Sequence, residues 1–178
     1  CSNACASVLQ TTKSTPSRLD RIILLTALPP APPTPTTTKK LALPDGGIQR
    51  SDFEFLQGAT SQTPKVCIPS PSMLHFRGGR GGVDDGAYPG MEEFFEDVSA
   101  IWRAEIMDLA DAGCRYVQLD DTNLAYLCDD RLRERVRGLG EGPDQLPLLY
   151  ARLTNTAIAD RPDDMAITVH LCRGNSLS

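Results

Sequence analysis

His170 and Cys172 stand two residues apart, directly after the apolar run Met165-Ala166-Ile167-Thr168-Val169. In extended backbone, residues i and i+2 project to the same side, so an imidazole nitrogen and a thiolate at this spacing can reach one metal ion together. Zinc suits such a pair, because it accepts nitrogen and sulfur at about 2.0–2.3 Å and lowers the pKa of a bound thiol. The plainer reading is a strand-end histidine and a buried cysteine that never meet a metal. From H-x-C alone the plainer reading outweighs the metal.

Asp120 and Asp121 form a second group, placed straight after Tyr116-Val117-Gln118-Leu119 and ahead of Thr122 and Asn123. One carboxylate of such a pair can hold an ammonium group or a metal-bound substrate while its neighbour caps the following turn. Asp120, next to the strand, is the one assigned to a ligand; the alternative makes both residues caps. Ser70 and Ser72 form a third group, after Lys65-Val66-Cys67-Ile68. Arg77-Gly78-Gly79-Arg80-Gly81-Gly82 resembles an RGG box, but one copy in an acidic chain fits RNA poorly. A mobile lid, an anion-contacting loop and a plain flexible loop all remain open for it. His75 is ambiguous, since a lone histidine in Met-Leu-His-Phe also packs well at the base of a loop.

The elements that would position these groups alternate. Short apolar runs at 65–68, 116–119 and 165–169 predict strands, the first stopped by Pro69 and Pro71. Between the first two, Phe94, Phe95, Val98, Ile101, Trp102, Ile106, Leu109 and Ala110 share one face of a helix predicted over 91–112. Glu92, Glu93 and Glu96 suit its positive end, and Gly113 is placed to end it in a left-handed cap. Helices are also predicted over 130–136 and 144–159, and a short one opens near Ser51 or Asp52 as its cap, after the Asp45-Gly46-Gly47 turn. The order β, α, β, α, β argues for a parallel sheet, an α/β fold, open or closed into a barrel. In such folds ligands gather at the carboxyl ends of strands, where all three groups stand.

With 178 residues and a formal charge of −5, the chain lacks the basic footprint that nucleic acid requires. No apolar run is long enough to span a bilayer, and a soluble, cytoplasmic protein acting on small molecules is expected. Six cysteines without a repeated spacing point to a reducing compartment. Residues 1–44 differ in kind: Ser and Thr dominate, and Pro29, Pro30, Pro32, Pro33 and Pro35 predict an extended, disordered segment. The start at Cys1 and the stop soon after the third strand lead to the expectation of a fragment.

The stretch from Asp45 to Asn175 resembles the C-terminal catalytic barrel of cobalamin-independent methionine synthase and its shorter relatives. The matching segments are Asp45-Gly46-Gly47-Ile48-Gln49-Arg50, Ile68-Pro69-Ser70-Pro71-Ser72-Met73-Leu74, Tyr116-Val117-Gln118-Leu119-Asp120-Asp121 and Val169-His170-Leu171-Cys172, in the family's order. H-x-C following Q-L-D is the most specific part, and it reverses the odds against a metal. The resemblance implies a partial TIM (β/α)8 barrel over 45–178, zinc as cofactor, and methyl transfer from 5-methyltetrahydrofolate (polyglutamate) to the thiol of homocysteine. His170 and Cys172 match two zinc ligands, and Asp120 matches the aspartate that holds the substrate amine. With Asp121, Ser70 and Ser72 it makes up the expected substrate-binding set; no residue is assigned a catalytic role.

The sequence departs from the family in three places. The family's further acidic and cysteine zinc ligands would lie beyond Ser178. Gly47 stands where a glutamate helps grip the substrate amine, and the family's early strand with its serine is not recognisable in residues 1–44. These departures lead to the expectation of a poorly active chain, and leave open alkyl transfer to another thiol or a non-catalytic fragment or pseudoenzyme. Barrels like uroporphyrinogen decarboxylase share the scaffold without this zinc chemistry. Metal-assisted hydrolysis through Asp120, Asp121 and His170 is a weaker rival, since it leaves Cys172 unexplained.

Overall fold

The computed structural model describes residues 37–172, so the expectation for residues 1–36 lies outside the described residues. Three strands form one parallel sheet in the order β1 (Val66–Pro69), β2 (Tyr116–Asp121) and β3 (Ala166–Leu171). Helix α1 (Arg50–Ala59) precedes β1, and α2 (Met91–Asp111) crosses from β1 to β2. The return to β3 runs through α3 (Asn123–Tyr126), α4 (Asp130–Gly138) and α5 (Leu146–Ala157), with α5 packed on α2. The α/β expectation holds. Closure into a barrel is not seen among the described residues, where β1 and β3 are both edge strands.

Register explains which residues face which way, because partners in a parallel ladder share a face. Val66, Val117 and Ile167 are aligned, as are Ile68, Leu119 and Val169. Most of this row is buried against α1 and α2 in a core of Phe53, Ile106, Leu109, Cys114 and Met165. Leu109 and Leu119 are fully enclosed, and each such side chain contributes about 1.5–3 kcal/mol through lost contact with water. The opposite face carries Cys67, Gln118, Asp120, Thr168 and His170, all half-buried or exposed.

Local chemistry sets the helix ends. Glu92 and Glu93 lie in the first turn of α2, and Gly113 has φ of +98°, the left-handed geometry expected of it. Asp129 caps α4 by accepting from the Leu132 amide. The cap of α1 differs from expectation: neither Ser51 nor Asp52 serves, and the capping residue is Gln49, whose side chain makes no cap bond. A carboxylate from α2 takes over that task.

The chain is already tied down before Asp45. Thr37 is 5% exposed and is bridged to Val83, with its amide donating to the Gly82 carbonyl at 3.1 Å. The Leu41 amide donates to the buried Tyr88 hydroxyl at 2.7 Å, and that hydroxyl donates to Asp97. The glycine-rich stretch is likewise pinned, not an open lid: Gly79–Gly82 form a 3-10 turn, and the Arg80 guanidinium donates to the Tyr88 carbonyl at 2.8 Å and pairs with Asp85.

Candidate functional site

The end of β1 and the end of β2 meet in a buried polar cluster. Ser70, Ser72, Asp121 and Asn123 are each at most 2% exposed. Asp121 accepts from Ser72 Oγ at 2.8 Å through one oxygen, and from the amides of Asn123 and Leu124 at 2.8 and 3.1 Å through the other. It is therefore the cap of the pair, as one carboxylate of the two should be. The Asn123 side-chain amide donates to Ser72 Oγ at 2.8 Å, while its Oδ1 is buried with no hydrogen-bond partner among the described residues. Sequence reasoning noticed Asn123 only as a neighbour of the aspartates; its burial depends on the loop after β1 folding over it.

Asp120 points the other way. It lies in register with Pro69 on one side and His170 on the other, so these side chains share the open face of the sheet at its carboxyl edge. Gln118, two residues earlier on the same face, donates from Nε2 to Asp120 Oδ1 at 2.7 Å. Its amide is oriented from behind, since Lys65 Nζ donates to Gln118 Oε1 at 3.0 Å. The carboxylate is thus held by one donor and half exposed, and it retains capacity to accept from an ammonium group. Gln118 went unassigned in the sequence, although its i, i+2 spacing to Asp120 could have marked it.

His170 is exposed on β3 and Cys172 follows the strand directly. Among the described residues, no group of three or more histidine, cysteine or acidic side chains stands close enough to hold a metal ion. A zinc site takes at least three protein ligands. This pair has the right donor atoms and spacing but does not by itself make a zinc site. The predicted groups therefore divide: Ser70, Ser72 and Asp121 come together beneath the loop after β1, whereas Asp120 and His170 come together on the open face.

The Asp45–Arg50 turn is held by α2. Glu105, 4% exposed, accepts from the amides of Ile48 and Gln49, both at 2.7 Å, and so caps α1 from 56 residues away. Burial pushes its pKa up, opposed by those two amides, and the nearby Asp108 adds to the rise. Asp108 accepts from Arg50 Nη1 at 2.7 Å. Gly46 and Gly47 have φ of +78° and +68°, and a Cβ on Gly47 would come within 2.4 Å of Asp108 Oδ2. Beside this turn lies an apolar cavity of about 140 Å³, lined by Leu41, Ile48, Ile68, Leu74, Trp102 and Glu105.

Cys114 is buried, and Cys67 and Cys128 are exposed. No helix among the described residues is long and apolar enough to cross a membrane.

No family model matches the chain. It is 48% identical to the uncharacterized protein YxjH of Bacillus subtilis over 125 residues, which is 70% of this chain and 32% of that protein. Against YxjG of the same organism it is 43% identical over 126 residues, again 70% and 32%. The chain spans about a third of the length of these curated relatives. Among solved structures it is similar to a Listeria monocytogenes protein provisionally named a vitamin-B12 independent methionine synthase. That match has a TM-score of 0.65 and 37% identity, and covers 77% of this chain and 40% of the other.

Proposed function

We propose that this chain is part of a methionine-synthase-like enzyme, in which a methyl group passes from a folate-type donor, 5-methyltetrahydrofolate in its polyglutamate form, to the thiol of homocysteine. The observation that carries the reading is the register of Asp120 with His170, which puts a half-exposed carboxylate beside an exposed imidazole at the carboxyl edge of one sheet face. The likeness to the Listeria protein supports it at 37% identity.

In this reading His170 and Cys172 supply two donors to zinc, with further donors from outside the described residues. Zinc, when bound, would keep the acceptor sulfur as a thiolate and so a nucleophile at neutral pH. Asp120 takes the ammonium group of the amino-acid substrate, and Gln118 fixes the direction of that carboxylate. Asp121 and Ser72 keep the two strand ends together.

One observation favours a second acceptor. Gly47 has a positive φ and no room for a Cβ, so a glutamate cannot grip a substrate amine from this position without rebuilding the turn. A thiol acceptor other than homocysteine, with a lesser demand for amine contacts, fits that geometry.

The test uses cobalt(II) in place of zinc. Thiolate-to-cobalt absorption that disappears in Cys172→Ser and weakens in His170→Ala supports the metal assignment; identical metal uptake in wild type and both variants sinks it. Methyl transfer assayed with homocysteine against a panel of other thiols then separates the two acceptors, and metal uptake without any transfer marks a non-catalytic chain.

A further inference from the structure

His75 is one of two histidines in the chain and is 2% exposed. It ends the 3-10 turn Pro71–Leu74 that carries Ser72. Its ring meets the edge of Phe95 from α2, with centroids 5.0 Å apart, and lies against Tyr150 from α5. Nδ1 is 3.0 Å from the Tyr150 hydroxyl, and Nε2 is 3.2 Å from Glu141 Oε1 in the connection between α4 and α5.

These partners fix the tautomer. A carboxylate only accepts, so Nε2 carries the ring proton; Nδ1 is then a bare acceptor, and the Tyr150 hydroxyl donates to it. The same Glu141 oxygen accepts from the Arg80 amide at 3.1 Å. The result is a directed chain from Tyr150 through His75 to Glu141, joined there by Arg80. It fastens both 3-10 turns of the loop between β1 and α2 to α5 and the connection before it. Gly79 is the residue that permits the approach, with φ of +53° and a Cβ that would come within 3.0 Å of Glu141 Oε1.

We propose that His75 is a proton-sensitive positioning residue for the loop that carries Ser70 and Ser72, fastening it when neutral and releasing it when protonated. This rests on reading that loop as part of the substrate site. Protonation turns Nδ1 into a donor, so the Tyr150 hydroxyl loses its acceptor, and it places a cation in a buried aromatic wall of Phe95 and Tyr150. The charged and titratable groups facing His75 are Glu141 and Tyr150, with Asp121 of β2 acting on Tyr150 in turn. Burial holds the imidazole pKa below its usual value against the opposing pull of Glu141.

Two measurements on the full chain test this without any assay of activity. Imidazole nitrogen NMR has two histidines to resolve. His75 is expected as the Nε2–H tautomer at neutral pH, titrating below the usual imidazole range. Amide exchange, corrected for its intrinsic pH dependence, is expected to show protection over 73–83 falling about tenfold per pH unit below the His75 midpoint, with the core amides of α2 unchanged. Glu141→Gln moves that midpoint to lower pH, and His75→Gln removes the pH dependence; if His75→Gln does not fold, the Glu141→Gln shift carries the test. An Nδ1–H tautomer, loop protection indifferent to His75 titration, or an unmoved midpoint in Glu141→Gln overturns the proposal. Because none of these readouts involves zinc or methyl transfer, failure of the latch and failure of the proposed function are distinguishable.

Discussion

Asp120 and His170 face each other across the β2–β3 ladder, while Asp121, the next residue along, is sealed on the opposite face under the loop after β1. Two adjacent aspartates thus do different work because a strand alternates its side chains. That division leads to opposite expectations for the two positions.

Asp120→Asn is expected to leave stability within about 0.5 kcal/mol, as for an exposed polar change. If the residue holds a substrate ammonium, affinity for an amino-acid thiol falls by about tenfold to a hundredfold, the worth of one hydrogen bond to a charged group. Urea denaturation and calorimetric binding check the two halves separately; a large loss of stability with unchanged binding would reverse the assignment.

Asp121→Ala is expected to cost about 2–4 kcal/mol, because it strips the acceptor from Ser72 and from two amides at the start of α3. Chemical denaturation reads this directly. A cost no larger than that of Asp120→Asn would mean the cluster opens to water.

Gly47→Ala should destabilise by about 1–3 kcal/mol, since both the positive φ and the close approach of Asp108 oppose a methyl group. Gly46→Ala is the control: it has a similar φ but nothing within 4 Å of the added carbon. The second variant should lose about 1 kcal/mol, and equal losses at both positions would show that Asp108 simply moves aside.

Glu105 gives a pH dependence of definite sign. Its pKa in the folded chain is raised above the ordinary 4.5, chiefly by burial. Between those two values the folded state retains a proton that the unfolded chain has released. Stability therefore falls as pH rises through that window and levels off above it. Glu105→Gln should flatten this slope while lowering stability throughout, because one carboxamide oxygen cannot serve both the Ile48 and Gln49 amides as well as two carboxylate oxygens do. Equilibrium unfolding from about pH 4 to about pH 7 in both proteins provides the check.

What could be read from the sequence was what neighbours along the chain decide. The acidic first turn of α2, its one-sided apolar spacing and the glycine at its end specify that helix locally, and β2 shows its buried alternation in Val117 and Leu119. The start of α1 was misread because its cap comes from Glu105, far along the chain, and no local pattern points there. Glu141 and Tyr150 were equally hidden: only the packing of α5 on α2 brings them to His75. Ser70 and Ser72 stand at a strand end as expected, but the role of Ser72 in joining Asp121 to Asn123 became visible only with the loop closed over β2.

The sequential order β1-β2-β3 bears on how fast the molecule assembles. Paired residues such as Val66 and Val117, or Val117 and Ile167, are roughly fifty positions apart, so no hairpin can nucleate the sheet. The first ladder bond must wait for a long loop to close, by which time α2 has had ample opportunity to form on its own. Among the described residues β3 is an edge strand that leaves Val169 and Leu171 exposed, and it is the strand through which a crowded refolding reaction would go astray.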